Sequence, residues 1–557
     1  MTDATSGTGR VFGIDLGTTY SAIAYIDETG RPTVCRNDNS AEITPSVVHF
    51  ETPDNVVVGE TAKQSAFIDA DNVVKLIKRR MGDEIELEFH GKAYTPESIS
   101  ALILKRLAAD AAAHTQGPVE QAVITVPAYF GVRQKEATQK AGLIAGLDVV
   151  GVLPEPVAAA VHYDLTSGGA DKTVLVYDLG GGTFDTTVIE VRGKEITVVC
   201  TDGATNLGGA NWDERLSEHV LARFVETARP EEPPQDDDEF LQEVAIKVED
   251  LKKQLSLQES RSVQLRFAGA AAKIDVTRAE FESMTADLLD RSAEIVKRTL
   301  AALEEKAPGT RIDEVLLVGG STKMPMVADR LTREFGWTPK LHDPDLAVAK
   351  GAALWGLSRV VYRQQQEAQQ NADTPEQAEE QAAEVVRRAA RDFGMSEAAM
   401  TRLTDKQTTS VLPKAFGIKL QDNDDATRDY VFHLAHANDE LPVVDRHLPA
   451  QTTHSAQTQV QIELYEQAGA VADEELAANN RVLNVDGTGL IRGIPPQPPG
   501  QTAKVDILLS VDVDGLLKVT ATERGTGQNC VIEVNVGLTA AEVSDAIDAV
   551  SKISVSS

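Results

Sequence analysis

The sequence predicts an α/β molecule of two similar lobes facing each other across a cleft, followed by an all-β region. The first part rests on a glycine hairpin that occurs twice. Residues 174–190 read VLVYDLGGGTFDTTVIE and residues 11–26 read VFGIDLGTTYSAIAYI, each an apolar strand, Asp-Leu-Gly, a small turn and a second apolar strand. It rests also on a β-α-β order of patterns between residues 96 and 153. The all-β part rests on period-2 alternation of apolar residues from Val460 onward.

In the central hairpin the run ending at Asp178 is β-branched and aromatic, and Thr183 leads into the returning strand. Three successive glycines, Gly180, Gly181 and Gly182, let consecutive amide N–H groups point inward and cradle a phosphate. Asp178 and Asp185 flank that cradle and could hold a hydrated magnesium ion, which keeps several waters and takes only one or two carboxylates plus phosphate oxygens. A lone Gly-Gly-Gly is more often a flexible turn. The second copy at Asp15 favours the functional reading, since two lobes would each offer one Asp and one set of turn amides to the same phosphate chain.

The 557 residues suffice for three or four domains with a buried core in each. The formal net charge of −32 argues against DNA, RNA or an anionic membrane as principal partner, because all three require basic patches. Cys35, Cys200 and Cys530 are too few and scattered for a disulfide framework or a zinc site. The first ten residues are polar and no later run approaches a membrane span, so the expectation is a soluble cytoplasmic protein.

In chain order, residues 72–82 form a basic segment in an acidic protein, with Ile77 and Met81 one helical turn apart. Lys78 could reach the cleft; the plain expectation is a solvated helix face. Residues 96–114 keep helical spacing, residues 122–127 read as a short buried strand stopped by proline, a helix follows over 133–146, and 149–153 is the next strand. Glu155, held between Pro154 and Pro156 at that strand's C-terminal end, stands where open α/β sheets place ligand-contacting residues; the alternative is a surface turn acid. Gly208 and Gly209 make another glycine turn, residues 226–239 a Pro-rich acidic loop, and residues 240–255 a helix. Residues 314–325 read as strand, double glycine, hydroxyl pair and helix start, in which Gly319 and Gly320 would let a flat ring approach the backbone. No Gly-x-x-x-x-Gly-Lys-Ser/Thr loop and no Gly-x-Gly-x-x-Gly after a strand is present, leaving P-loop and Rossmann sites unsupported.

Taken together, Ile14-Asp-Leu-Gly-Thr-Thr-Tyr-Ser21, Val126-Pro-Ala-Tyr-Phe130, Pro154-Glu-Pro156, the motif from Asp178 to Asp185, Leu317-Val-Gly-Gly-Ser-Thr322 and the stretch from Pro344 to Ala352 resemble the DnaK-type heat-shock 70 kDa chaperone family. The resemblance implies an α/β actin-like, two-lobed ATPase domain over residues 1–360 and an all-β sandwich peptide-binding domain over 411–537. Between them stands a helical insert, 361–410, and after them a short C-terminal helix, 538–557, with the family's long helical lid expected to be absent. It implies ATP or ADP with Mg2+ as ligands and unfolded or extended polypeptide as partner, with a J-domain cochaperone and a nucleotide exchange factor beside it. Thr18, Thr19, Gly180 to Thr183 and Gly208 would contact phosphates, with Gly17, Tyr20 and Gly209 also at the nucleotide. Asp15 and Asp178 would sit near the magnesium, Lys78 near the γ-phosphate, and Glu155 and Thr183 near the attacking water. Glu249, Lys252, Lys253, Ser256, Gly319, Gly320, Ser321, Lys323 and Asp345 would line the nucleoside pocket. Turnover should be slow, serving as a timer.

Several positions depart from the family's pattern. Lys253 and Lys323 stand where it has adenine-flanking arginines, and lysine lacks the planar face that stacks on a ring. Lys135 replaces the arginine paired with the Pro127 switch, and Ala210 an acidic residue. The linker differs most: residues 363–406 are rich in Gln, Glu and Ala, with Thr374-Pro375-Glu376 as a helix start and Gly394 as a stop, and the polar stretch 405–410 stands where a leucine-rich strand is expected. Such a linker implies weak docking. Farther on, Val460, Ile462 and Leu464 alternate, as do the apolar residues from Val505 to Val513 before an Asp514-Gly515 turn, and residues 530–536 continue the sheet. Thr539 and Glu542 form a capping-box pattern for a helix with Val543, Ile547 and Val550 on one face. Rival readings are a non-hydrolysing nucleotide-dependent scaffold and, less well supported, a small-molecule kinase on the same fold.

Overall fold

The computed structural model describes residues 10–167, 171–422, 424–425, 427–469, 472–475, 480–484, 488–512, 515–533, 538 and 540–557. The expected sheet residues Val513, Asp514 and 534–536, and the expected cap Thr539, lie outside them.

The repeat seen in the sequence is a repeat of topology. In the first lobe the strands run in the order Asp148–Pro154, Gln121–Val126, Val11–Asp15, Tyr20–Ile26, Pro32–Val34, two parallel pairs followed by an antiparallel meander. The second lobe repeats it with Lys340–Leu341, Glu314–Val318, Lys172–Leu179, Phe184–Arg192 and Glu195–Ala204. In each lobe a glycine hairpin joins the first antiparallel pair, Val11–Asp15 to Tyr20–Ile26 in one and Lys172–Leu179 to Phe184–Arg192 in the other. Buried Val and Ile side chains of both sheets close over the helices Glu155–Ser167 and Ala347–Gln370, which form one core with them.

The expected boundary at residue 360 falls inside the helix Ala347–Gln370, which runs unbroken because nothing between Gly356 and Gln370 stops it. Thr374 caps the next helix, Pro375–Asp392, by accepting the Gln377 amide, and Gly394 ends it with φ of 62°. A further helix, Glu397–Thr404, follows. The apolar face of this insert, Val386, Ala389, Ala390, Phe393, Met400 and Leu403, is buried in the first core, which leaves a charged outer face.

The linker is docked. Gln407–Thr409 adds a parallel strand to Glu195–Ala204 of the second lobe, while Lys406 pairs with buried Asp164 at 2.8 Å and Trp355 donates its indole N–H to Thr408 at 3.1 Å. The expected weakness of a polar linker is met by polar partners, since backbone pairing and a buried ion pair need no leucines.

Beyond it, two four-stranded antiparallel sheets share a core of Phe416, Ile418, Leu464, Ile507, Leu509, Val519 and Ile532. The expected single strand through Val460, Ile462 and Leu464 is two strands, Gln459–Gln461 and Leu464–Gln467, because each pairs with a different partner. This β domain touches both lobes: buried Glu466 accepts the Val132 amide of the first lobe at 3.3 Å, and Asn438 accepts the Thr201 amide of the second at 2.9 Å. The last helix, Ala540–Ser551, packs on the first lobe with Val543 and Val550 inward; Ile547, expected on that face, is exposed because Ala546 takes the contact. Among the described residues no helix is long and apolar enough to cross a membrane.

Candidate functional site

The two hairpin turns meet across the cleft at atomic contact. A β carbon at Gly181 would lie 2.0 Å from Thr19 Oγ1, and one at Gly182 2.2 Å from Thr18 Cγ2, so only glycine lets the turns approach this closely. The strand pairing sets Asp178 directly opposite Asp185, and Asp15 occupies the matching place in the first lobe, opposite Ala22.

Asp15, Gly17, Thr18, Thr19, Tyr20, Lys78, Glu155, Asp178, Gly180, Gly181, Thr183, Glu249, Lys252, Lys253, Ser256, Gly319, Gly320, Ser321, Lys323 and Asp345 all line one cavity of about 740 Å³ between the lobes. Gly182, Gly208 and Gly209 stand behind its wall. Gly208 backs onto the Gly182 backbone, and Gly209 donates to the Gly180 carbonyl at 2.9 Å, bracing the central turn. Ser321 Oγ donates to the same carbonyl at 2.9 Å, tying the third glycine turn to the second.

Lys78 is not on a solvated helix. The segment Ile77–Arg80 is one 3₁₀ turn, entered through Leu76 with φ of 58°, and it drives Lys78 into the cleft, 4% exposed and 2.5 Å from Glu155. Glu155 opens the helix Glu155–Ser167 and is buried, not a surface turn acid. Arg79, next to Lys78 in the chain and missed by sequence reasoning, donates to the Gly182 carbonyl at 3.0 Å and to Asn211 at 3.0 Å, crossing from one lobe to the other. The signal was the unbroken run Lys78-Arg79-Arg80.

Burial, with Glu155 nearby, raises Asp15 to about 7 and Asp178 well above the usual carboxylate range, and Lys78 opposes both shifts. Asp185 is raised for the same reasons; one of its oxygens accepts the Ala128 amide and the other has no hydrogen-bond partner. Carboxylates held this far from water favour a cation. Among the described residues no group of three or more His, Cys, Asp and Glu could hold a metal ion.

At the other end of the cavity, Lys63 of the first lobe pairs with Glu249 of the second at 2.5 Å, and Tyr20 donates to Glu249 at 2.6 Å. Burial would raise Glu249, but Lys63 and Lys253 bring it down to about 2. Lys253 lies 4.9 Å above the Tyr20 ring, and Lys323 pairs with Asp345, so both lysines are held by carboxylates beside the pocket. Also missed were Asp213, 2.8 Å from Lys252, and the apolar rim of Ile43, Leu257, Leu341 and Val348, which come together only in three dimensions. Leu257 is 84% exposed, an apolar surface suited to the face of a flat ring.

A lining that joins glycine turns, hydroxyls and the buried Lys78 to the exposed apolar side chains of Leu257 and Leu341 fits a polyphosphate carrying an aromatic base. The family model described as Hsp70 protein matches residues 11–86, 83–369 and 394–555, and the stretch it skips holds the helix Pro375–Asp392. The chain is 32% identical over 533 residues to the chaperone protein DnaK of Thermosipho melanesiensis, covering 94% of this chain and 80% of the relative. It is 34% identical over 527 residues to the chaperone protein DnaK of Thermotoga neapolitana, covering 93% and 79%.

Proposed function

From the premise that this chain belongs to the Hsp70 family, and is an ATP-dependent chaperone and an ATPase of it, we propose how its own residues perform the cycle. The Lys78–Glu155 pair, buried between two glycine turns, carries this reading. ATP lies with its phosphates between the turns at Thr18–Thr19 and Gly180–Thr183 and its base toward Lys253, Lys323 and the leucine rim. Asp15 and Asp178 would hold Mg2+, which supplies charge neutralisation on the phosphates when bound. Lys78 spreads the charge that develops on the γ-phosphate, while Glu155, Asp178 and the Thr183 hydroxyl orient the attacking water. No histidine is among these residues, which supports slow turnover.

Members of the family bind unfolded polypeptide and ATP or ADP. In this chain we place the peptide in the β domain over 411–537, and the signal between the domains in the docked strand Gln407–Thr409. A J-domain cochaperone and an exchange factor are further partners of this reading, and three free cysteines support a reducing compartment. Single-turnover ATP hydrolysis with and without an unfolded peptide is the test. The chaperone reading expects hydrolysis that peptide accelerates, and Lys406→Met should abolish the acceleration. ATP binding without hydrolysis would instead support the scaffold.

A further inference from the structure

The segment after the β domain is built into the first lobe. The lobe's small sheet runs Ser554–Ser556, Asn55–Val58, Val48–Thr52, Val73–Val74. Residues 554–556 pair in parallel with 55–57, and the Ser554 amide donates to the Asp54 carbonyl at 2.9 Å. Without them Asn55–Val58 would be an open edge with unpaired backbone groups. Val550 and Ile553 are buried among Ile99, Ile103 and the rest of that lobe's core. Lys105, from the lobe's long helix Pro96–Thr115, donates to the Val550 and Ile553 carbonyls at 2.9 and 2.8 Å, satisfying the end of the last helix. Ser557 reaches Asp38 at 3.0 Å, and Asp38 pairs with Arg106 at 2.6 Å.

The β domain is thus attached to opposite lobes at its two ends. Its leading end follows the linker strand on the second lobe's sheet, and its trailing end precedes this segment on the first. Seven peptide steps separate Thr409 from Phe416 and seven separate Glu533 from Ala540, about 25 Å each when fully extended.

We propose that residues 540–556 are a strap, a standing part of the first lobe that keeps the end of the β domain tied there whatever nucleotide is bound. The nucleotide states then differ at the linker strand and not at the strap. The polar linker, held by the ion pairs Lys406–Asp164 and Asp405–Lys194, an indole hydrogen bond and three residues of strand pairing, is the attachment that can let go. The strap, with two aliphatic side chains in a core, is the one that stays.

Hydrogen exchange on the full chain with ATP and with ADP tests this without relying on the chaperone reading. Amides of 552–557 and 55–58 should be protected alike in both nucleotides, while those of 405–411 change. Strap amides that exchange at unfolded rates, or that follow the linker, overturn the proposal. The register partners Asn55 and Ser554 allow a second test that does rest on the chaperone reading, in an Asn55→Cys/Ser554→Cys chain compared oxidised and reduced. Closing that disulfide should leave labelled-peptide release in ATP and in ADP within twofold of the reduced chain. A tenfold change shows that the strap opens in the cycle, and an oxidised dimer shows that it comes from a second copy; either result overturns the proposal.

Discussion

Replacing Lys78 by methionine removes the ammonium that acts on Asp15, Asp178 and Glu155 while keeping most of the side chain's volume. At 2.5 Å the Lys78–Glu155 pair attracts by about 6–7 kcal/mol at an effective dielectric of about 20, most of it offset by the cost of taking both charges out of water. Removing one partner of such a buried pair costs about 3–5 kcal/mol, because the other charge is left uncompensated. The variant should therefore lose stability, and Lys78→Met/Glu155→Gln should regain much of it by removing the orphaned carboxylate. Hydrolysis behaves differently. If Lys78 acts on the γ-phosphate, its loss resembles removing one donor from an oxyanion site, about 10²- to 10³-fold in rate, and the double variant does not recover it. ATP affinity should change much less, since the charge matters most in the transition state. Chemical denaturation reads the first effect and single-turnover hydrolysis the second. A Lys78→Met chain that hydrolyses ATP within threefold of wild type refutes the assignment, as does a double variant that recovers both properties together.

Gly181→Ala should weaken ATP binding about 5- to 150-fold, the equivalent of an overpacking cost of about 1–3 kcal/mol, because its β carbon would meet Thr19 at 2.0 Å and push the turns apart; titration calorimetry reads this, and unchanged affinity would mean that the turns do not meet. ATP should bind tightly only with magnesium, since Asp15 and Asp178 otherwise repel the phosphates; equal affinity in EDTA would sink that arrangement. Burial, with His342 at 3.2 Å and Lys350 nearby, lowers His162 to about 4 from the usual 6.5. The unfolded chain then binds the extra proton between those values, so stability falls as pH drops from 6.5 toward 4, by about 2 kcal/mol between pH 7 and pH 5. His162→Gln should flatten that slope in thermal melts, and an unchanged slope would place the acid sensitivity elsewhere.

What the sequence determined by itself was what is local and periodic. The two hairpins with their Asp and glycine tips, the strand and helix alternation up to Leu153, and the start and stop of the inserted helix at Thr374 and Gly394 follow from side-chain period, backbone freedom and capping, which neighbours in sequence decide. The residues that line the cleft could be named one by one only through the resemblance of the motifs to the family, since Glu249, Lys252 and Ser256 lie inside a helix with no local signal of their own. Tertiary structure alone decided the environment of Lys78, whose flanking charges suggest a solvated face until a residue in the left-handed conformation turns it toward Glu155, 77 positions away. It decided the cross-lobe role of Arg79 and the rim of Leu257 and Leu341, which share no segment. It also decided the fate of the polar linker and of residues 540–556. A three-residue strand carries too little pattern to announce its partner, and its stability comes from an edge supplied by a distant part of the chain: Glu195–Ala204 for one, Asn55–Val58 for the other. Burial and pairing over such distances are properties of the folded whole, so they become legible only once the edges that need covering are in place.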